Sequence, residues 1–365
     1  MKIRAFCLLI ATLLTLSALL VSCNQSSDGN SPEQETTAPV INTDPNIKVG
    51  ELETAENGLH LRLYTEKSGA KYYAVVGIGK YKDASLVIPE SFQSLPVQVI
   101  ADSAFQSNKT VTSVTLPASV KTIGKLSFGD CDKITEITLP DSVVTLGDRA
   151  FSDCDTLTTV NMGAGLNLIG TKCFYSCDKL ENVNFGTAVK TIGFEAFFGC
   201  VSLKQLVLPN GLSVIEDHAF WGCVALESVQ IFDQLTHIGK DVFYACGKLK
   251  PSESDGAYYL GNTENPHLLL VAISDKTVEE YTVHNDVKYI GQDVFSNCEA
   301  LKKVTLPSGI TLLSEGAFQH CSLLETILFN STTQAWKNVS KGYLWDHESG
   351  NYSVHCSDGT VEKEQ

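Results

Sequence analysis

Ile123-Gly124-Lys125-Leu126-Ser127-Phe128-Gly129-Asp130-Cys131-Asp132-Lys133-Ile134-Thr135-Glu136-Ile137-Thr138-Leu139-Pro140 is one turn of a repeating frame. Phenylalanine recurs at Phe105, Phe128, Phe151, Phe174, Phe197, Phe220 and Phe243, each 23 residues after the last; after a gap of 52, Phe295 and Phe318 resume the spacing. An Ile or Leu stands five before each Phe, usually Ala one before and Cys three after, as at Cys131, Cys154, Cys177, Cys200, Cys223, Cys246, Cys298 and Cys321, with Asn108 in the first frame. Apolar residues follow at six and nine after the Phe and often at eleven, and Pro117, Pro140, Pro209 and Pro307 close their units.

Self-similarity at this period signals a solenoid in which each unit turns once and buries its apolar side against its neighbours. The alternating end of the unit suits a strand in a parallel sheet, and the Ala-Phe-x-x-Cys segment suits a short helical or 3₁₀ turn on the opposite face. Proline after the strand ends its pairing. The expected fold is therefore an α/β repeat, a leucine-rich repeat solenoid of 23-residue coils, sheet on one face and turns on the other. At a strand spacing of about 4.8 Å, nine coils stack to roughly 43 Å.

The frame Ile-Gly-x-x-Ala-Phe-x-x-Cys-x-x-Leu-x-x-Val-x-Leu-Pro resembles the repeat of the BspA-like leucine-rich surface proteins of bacteria, over about residues 96–330. Tyr72 to Gly79 with Leu86-Val87-Ile88-Pro89 resembles that family's N-terminal entry unit, and Trp336, Trp345 and Val354 to Gly359 its closing unit. The resemblance implies adhesion, without catalysis, to host extracellular-matrix or cell-surface proteins or to other bacteria. An envelope component that binds glycans or peptides for nutrient capture is the competing reading.

Ahead of the repeats, Lys2 and Arg4 precede an uncharged stretch from Ala5 to Val21, shorter than the roughly 20 residues a membrane-spanning helix needs. It ends in Leu20-Val21-Ser22-Cys23, which resembles the lipobox of bacterial lipoproteins, implying cleavage before Cys23 and acylation of its thiol. The expected organisation is a lipoprotein signal peptide (1–22), a flexible tether (23–50), an N-terminal cap (51–95), the solenoid (96–330, with a hairpin insertion at about 251–284) and a C-terminal cap (331–365). The expected location is the cell envelope, with the chain exported, surface-exposed and touching the membrane only through lipid on Cys23. The tether is polar and Pro-, Ser- and Thr-bearing, a composition unable to offset its ordering entropy by burial.

Lys plus Arg number 27 against 42 Asp plus Glu, a formal charge of −15. Such a polyanion argues against nucleic acid and anionic lipid surfaces as partners. No Ser-centred elbow, nucleophile–base pairing or metal-ligand spacing stands out, the eight His are scattered along the chain, and the expectation is of no enzyme, cofactor or metal. Gly165 to Gly170 followed by Thr171-Lys172 imitates a phosphate loop but reverses its Lys-Thr order inside an ordinary repeat frame.

The in-register cysteines read as buried thiols, with coil-to-coil disulfides the competing reading. Residues seven, eight and ten after each Phe, such as Thr135, Glu136 and Thr138, face outward from the sheet and carry no aromatic. One residue after the Phe, four consecutive coils carry Tyr175, Phe198, Trp221 and Tyr244, where other coils carry Gln106, Gly129, Ser152, Ser296 and Gln319. Stacking aligns these rings into a strip, the candidate contact for a protein or glycan; packing of the rings merely to stabilise the stack is the alternative.

Overall fold

The computed structural model describes residues 47–363, so the signal peptide, Cys23 and most of the tether lie outside the described residues. Each coil contributes two strands rather than one. The first ladder is built on the residue five before the Phe: Leu95–Ile100, Thr122–Ile123, Thr145–Leu146, Leu168–Ile169, Thr191–Ile192, Val214–Ile215 and His237–Ile238 pair in parallel, each residue against its equivalent one coil away. The second runs through Glu136–Thr138, Thr159–Asn161 and Asn182–Asn184, then Gln205–Val207 and Ser228–Gln230. Parallel pairing therefore occupies two faces of the coil, where the sequence pattern pointed to one.

The third side corrects a second expectation: the Ala-Phe-x-x-Cys segments are consecutive turns with no helix. In every frame the residues two before and two after the Phe have positive φ, as at Leu126 (54°) and Asp130 (58°) or His218 (57°) and Gly222 (73°). A left-handed residue cannot continue a right-handed helix, so two of them flanking the Phe fold the segment flat. That costs about 1–2 kcal/mol for each non-glycine. The flattening presents amides and carbonyls along the stack: Leu126 N donates to Asp148 O at 3.0 Å, Phe128 N to Ala150 O at 2.8 Å and Asp130 N to Ser152 O at 2.8 Å. All three sides of the coil are thus hydrogen-bonded to the next, which pairs backbone polar groups around an apolar interior.

Inside, equivalent residues stack on equivalents. Phe128 and Phe151 lie 5.2 Å apart at 4° between planes, Phe197 and Phe220 5.2 Å at 7°, and Phe295 and Phe318 4.8 Å at 9°. Ile123, Ile137, Ile169 and Ile192 are fully buried beside them. Each buried apolar side chain of this size contributes about 1.5–3 kcal/mol. The glycines of the phosphate-loop imitation belong to this packing: a Cβ on Gly170 would stand 2.8 Å from Leu146 O of the preceding coil.

The stack is interrupted once. The first ladder ends at His237–Ile238, and a new one runs through Leu269–Ile273, Tyr289–Ile290, Leu312–Leu313 and Ser340–Lys341. Between them Ser252–Ser254, Ala257–Leu260 and Leu269–Ile273 form an antiparallel three-stranded hairpin unit. A backbone bond, Ile231 N to Gly261 O at 3.0 Å, and several side chains bridge the break. Leu235 N donates to Tyr289 Oη at 3.0 Å, Tyr289 Oη donates to Phe232 O at 3.3 Å, Asp241 N donates to Gln292 Oε1 at 2.6 Å, and Lys288 pairs with Asp233 at 2.7 Å.

Antiparallel strands extend both ends: Ile47–Thr54, His60–Glu66 and Lys71–Gly77 before the first coil, and Ser353–Cys356 with Gly359–Glu362 after the last. A six-residue helix, Thr333–Asn338, starts where Thr332 Oγ1 accepts from Ala335 N. Beyond it Leu344 and Glu348 repeat the paired positive φ, and Phe318 N donates to Trp345 O at 2.6 Å. This is one more turn of the frame with Asp346 in the place of Phe. No helix among the described residues is long and apolar enough to cross a membrane.

Candidate functional site

The strip residues occupy the crest between the Phe and the second left-handed residue, where the turn aims the side chain away from the core. Tyr175, Phe198, Trp221 and Tyr244 are all partly buried. They form one ladder: 5.0 Å and 8° between the first two rings, 6.1 Å and 15° between the next, 4.3 Å and 36° between Trp221 and Tyr244. The first three planes are nearly parallel and Tyr244 leans over Trp221, so each inner ring covers its neighbours' faces and presents an edge to the outside.

A second row borders the first, supplied by the residues two before the Phe. Lys172 pairs with Glu195 at 3.1 Å, and His218 Nε2 lies 3.8 Å from Asp241 Oδ2. Lys172 Nζ stands 5.3 Å from the Tyr175 ring centre and 5.7 Å from that of Phe194, while His218 meets Trp221 edge-on at 5.0 Å. The left-handed backbone that flattens the turn therefore also lays an alternating charged row alongside an aromatic one. The sequence pattern pointed to the four rings; Lys172, Glu195, Phe194 and His218 were legible only once that backbone was seen.

The outward residues of the second ladder face solvent, with Thr135, Glu136 and Thr138 all exposed. Several of them bond to outward residues of the neighbouring coil. Asn184 Nδ2 donates to Asn161 Oδ1 at 2.7 Å, Asn161 Nδ2 to Glu136 Oε1 at 2.9 Å, and Lys302 and Lys303 pair with Glu279 and Glu280 at 2.8 Å each. Groups that already pair along the ladder are less available to a partner.

The cysteines of the ladder are free thiols without disulfides, all of them buried. Each from Cys131 to Cys246 donates to the Phe carbonyl of the preceding coil at 3.1–3.3 Å. Burial pushes the Cys200 and Cys321 thiols up to about 12 and Cys131 and Cys298 up to about 11. They are packing groups rather than nucleophiles.

The histidines are not all scattered, which corrects the sequence reading. His267 and His284 ring centres lie 4.2 Å apart, and Asp286 brings its carboxylate to both, the candidate ligand atoms all falling within 4.8 Å of one another. These residues are 17 and 19 positions apart along the chain, a spacing that carries no motif, and only the register of two neighbouring strands brings them together.

The sequence family described as the BspA type leucine rich repeat region matches this chain in 6 copies, over residues 98–225, 167–254 and 272–340. No curated protein matches it. Similar solved structures include a leucine rich cell surface protein from Faecalibacterium prausnitzii A2-165, at 20% identity over 80% of this chain and 97% of that one, TM-score 0.38. The T. pallidum leucine rich repeat protein is 23% identical over 68% of this chain and 90% of that one, TM-score 0.43. The pneumococcal vaccine antigen PcpA is 17% identical over 86% and 89%, TM-score 0.42. With its repeats matched over most of the stack, the chain belongs to the BspA-type leucine rich repeat family.

Proposed function

We propose that this chain is a non-catalytic binding protein of the cell surface, held by lipid on Cys23, which engages a host matrix or cell-surface protein through the strip Tyr175, Phe198, Trp221 and Tyr244. The observation that carries the reading is the strip itself: four partly buried rings in register on the turn face, beside Lys172, Glu195, His218 and Asp241. Aromatic residues are the usual anchors of a protein interface. Sugar-stacking sites instead offer open ring faces, and here the inner faces are covered by neighbouring rings. The family's repeats and the cell-surface description of the Faecalibacterium relative support the location.

The test replaces Phe198 and Trp221 with Ser, the residue that Ser152 supplies at the same position of another coil. Binding to immobilised matrix proteins should fall by at least tenfold, as about 1.4 kcal/mol of lost contact would give. Melting should fall by the lost ring stacking, about 0.5–1.5 kcal/mol per pair, plus the lost burial of two partly buried rings. Unchanged binding, or retention on a glycan array alone, would refute the reading. Metabolic labelling with palmitate, expected for the natural chain and absent from Cys23→Ala, tests the anchor.

A further inference from the structure

The hairpin unit and the coil after it bring an unassigned cluster together. Leu269 and Leu270 pair in parallel with Tyr289 and Ile290, so the segments just ahead of these strands lie side by side. One carries His267, the other His284 and Asp286. Asn265 ties them: its Oδ1 accepts from His267 N at 3.0 Å and its Nδ2 donates to Asp286 O at 2.8 Å. The buried Tyr259 closes the inner side, edge-on to His267 at 4.7 Å and to His284 at 6.2 Å.

Both imidazoles are partly buried, and no hydrogen bond reaches a ring nitrogen of His267 among the described residues. Nδ1 of His284 lies 3.8 Å from Asp286 Oδ2 and accepts a 3.3 Å contact from Asp286 N. We propose that His267, His284 and Asp286 form a divalent metal site of the zinc class that clips the hairpin unit to the following coil.

The donor set is two imidazole nitrogens and one carboxylate oxygen. That mixture suits Zn²⁺ or Co²⁺, whereas Mg²⁺ and Ca²⁺ require mostly oxygen. Ligand atoms around a tetrahedral ion with bonds of about 2.1 Å stand about 3.4 Å apart. Small side-chain rotations therefore close the cluster, at the cost of the weak amide contact to His284 Nδ1. Asn265 acts as the positioning residue, since it fixes the backbone on both sides. Three protein ligands leave one position for water or for a side chain of a bound partner. Because the ion is held only when both loops are in place, it stabilises the folded state by mass action.

The test uses the full chain without a histidine tag, stripped with EDTA and titrated with Zn²⁺ by calorimetry and with Co²⁺ by visible absorption. One saturable equivalent, a Zn²⁺-dependent rise in Tm and nitrogen–oxygen cobalt bands are expected. His267→Gln and His284→Gln should abolish all three while their metal-free melting matches the parent's. Asp286→Asn, at an exposed carboxylate, keeps the test decisive if either histidine variant folds poorly. Asn265→Ala should weaken binding roughly tenfold. A thiolate-to-cobalt charge-transfer band, or binding that survives His267→Gln but is lost in His320→Gln, overturns the assignment; the latter would place the ion at the separate cluster where His320 Nδ1 meets Glu348 at 2.8 Å.

Discussion

The Cys177 thiol donates to the Phe151 carbonyl oxygen one coil earlier at 3.1 Å, and the same bond recurs along the stack. The thiol is small enough to pack in the apolar core yet still satisfies the Phe151 carbonyl, which Ala would leave open. Native alkylation at pH 8 should therefore reach, among the ten described cysteines, only the partly exposed Cys356, whereas all ten should react in denaturant. Reaction at Cys177 or Cys200 in the folded protein would contradict the buried ladder.

The same thiols set an alkaline limit. Their folded-state pKa values are raised, so the folded chain keeps protons that the unfolded chain releases. Their contribution is complete below the ordinary thiol pKa of about 8.5 and is lost as pH climbs toward the folded values of about 11–12. Each thiol that ionises only on unfolding removes about 1.4 kcal/mol per pH unit in that window. Urea midpoints measured from pH 7 to 11 should be flat at first and then fall steeply. A flat profile throughout would mean the thiols ionise equally in both states.

Ser127 stands where Ala104, Ala150 and Ala196 stand in other coils, fully buried, and its Oγ finds no hydrogen-bond partner among the described residues. An unsatisfied buried hydroxyl costs about 1–3 kcal/mol. Ser127→Ala should raise stability by about 1 kcal/mol, read as a higher urea midpoint at unchanged slope.

The period of Phe105 to Phe243 specified the solenoid and its core because burial repeats with the chain's own rhythm: Phe128, Ile123 and Cys131 are each fully buried at their frame positions. The turn was misread because its conformation depends on φ: the residues two before the Phe, Leu126, Arg149 and Glu195 among them, have no shared chemistry, while those two after it, such as Asp130, Asp153, Gly199, Gly222 and Asn297, tolerate positive φ and were not read as a signal. Leu, Arg and Glu are ordinary helix formers, so their propensity pointed the wrong way. Backbone bonds to the next coil override it. The four-ring strip was visible as a column of side chains, while the pairing of Lys172 with Glu195 beside it followed from that hidden backbone. His267 and His284 met only through strand register after an irregular insertion, for which no period exists.

At the break in the stack, Tyr289 does with one hydroxyl what backbone groups do elsewhere, accepting from Leu235 N and donating to Phe232 O. Tyr289→Phe would leave that amide buried without its acceptor, at a cost of about 1–3 kcal/mol. Repeat stacks unfold as neighbouring units coupled at their interfaces, so weakening one interface should uncouple the two sides. Urea unfolding that is a single transition in the parent should divide in two in Tyr289→Phe. A lone transition merely shifted to lower urea would assign the coupling to Lys288 with Asp233, to Gln292 and to the backbone bond from Ile231 N to Gly261 O instead.

Arg149 isolates the cost of the left-handed turn from packing, since its side chain is exposed while its φ is 54°. Its amide donates to Thr171 O at 2.9 Å, so the conformation is held by the ladder and survives substitution. Glycine there removes about 1–2 kcal/mol of steric cost but restores roughly 0.5–1 kcal/mol of unfolded-chain entropy. Arg149→Gly should therefore be neutral or slightly stabilising. Valine is branched at Cβ and tolerates positive φ poorly, so Arg149→Val should lower stability by about 1–2 kcal/mol. The order Gly, Arg, Val in urea midpoint is the expected outcome. Val equal to Arg would mean that the turn can relax to negative φ without loss, and the paired left-handed residues would then not be what excludes a helix from this side of the coil.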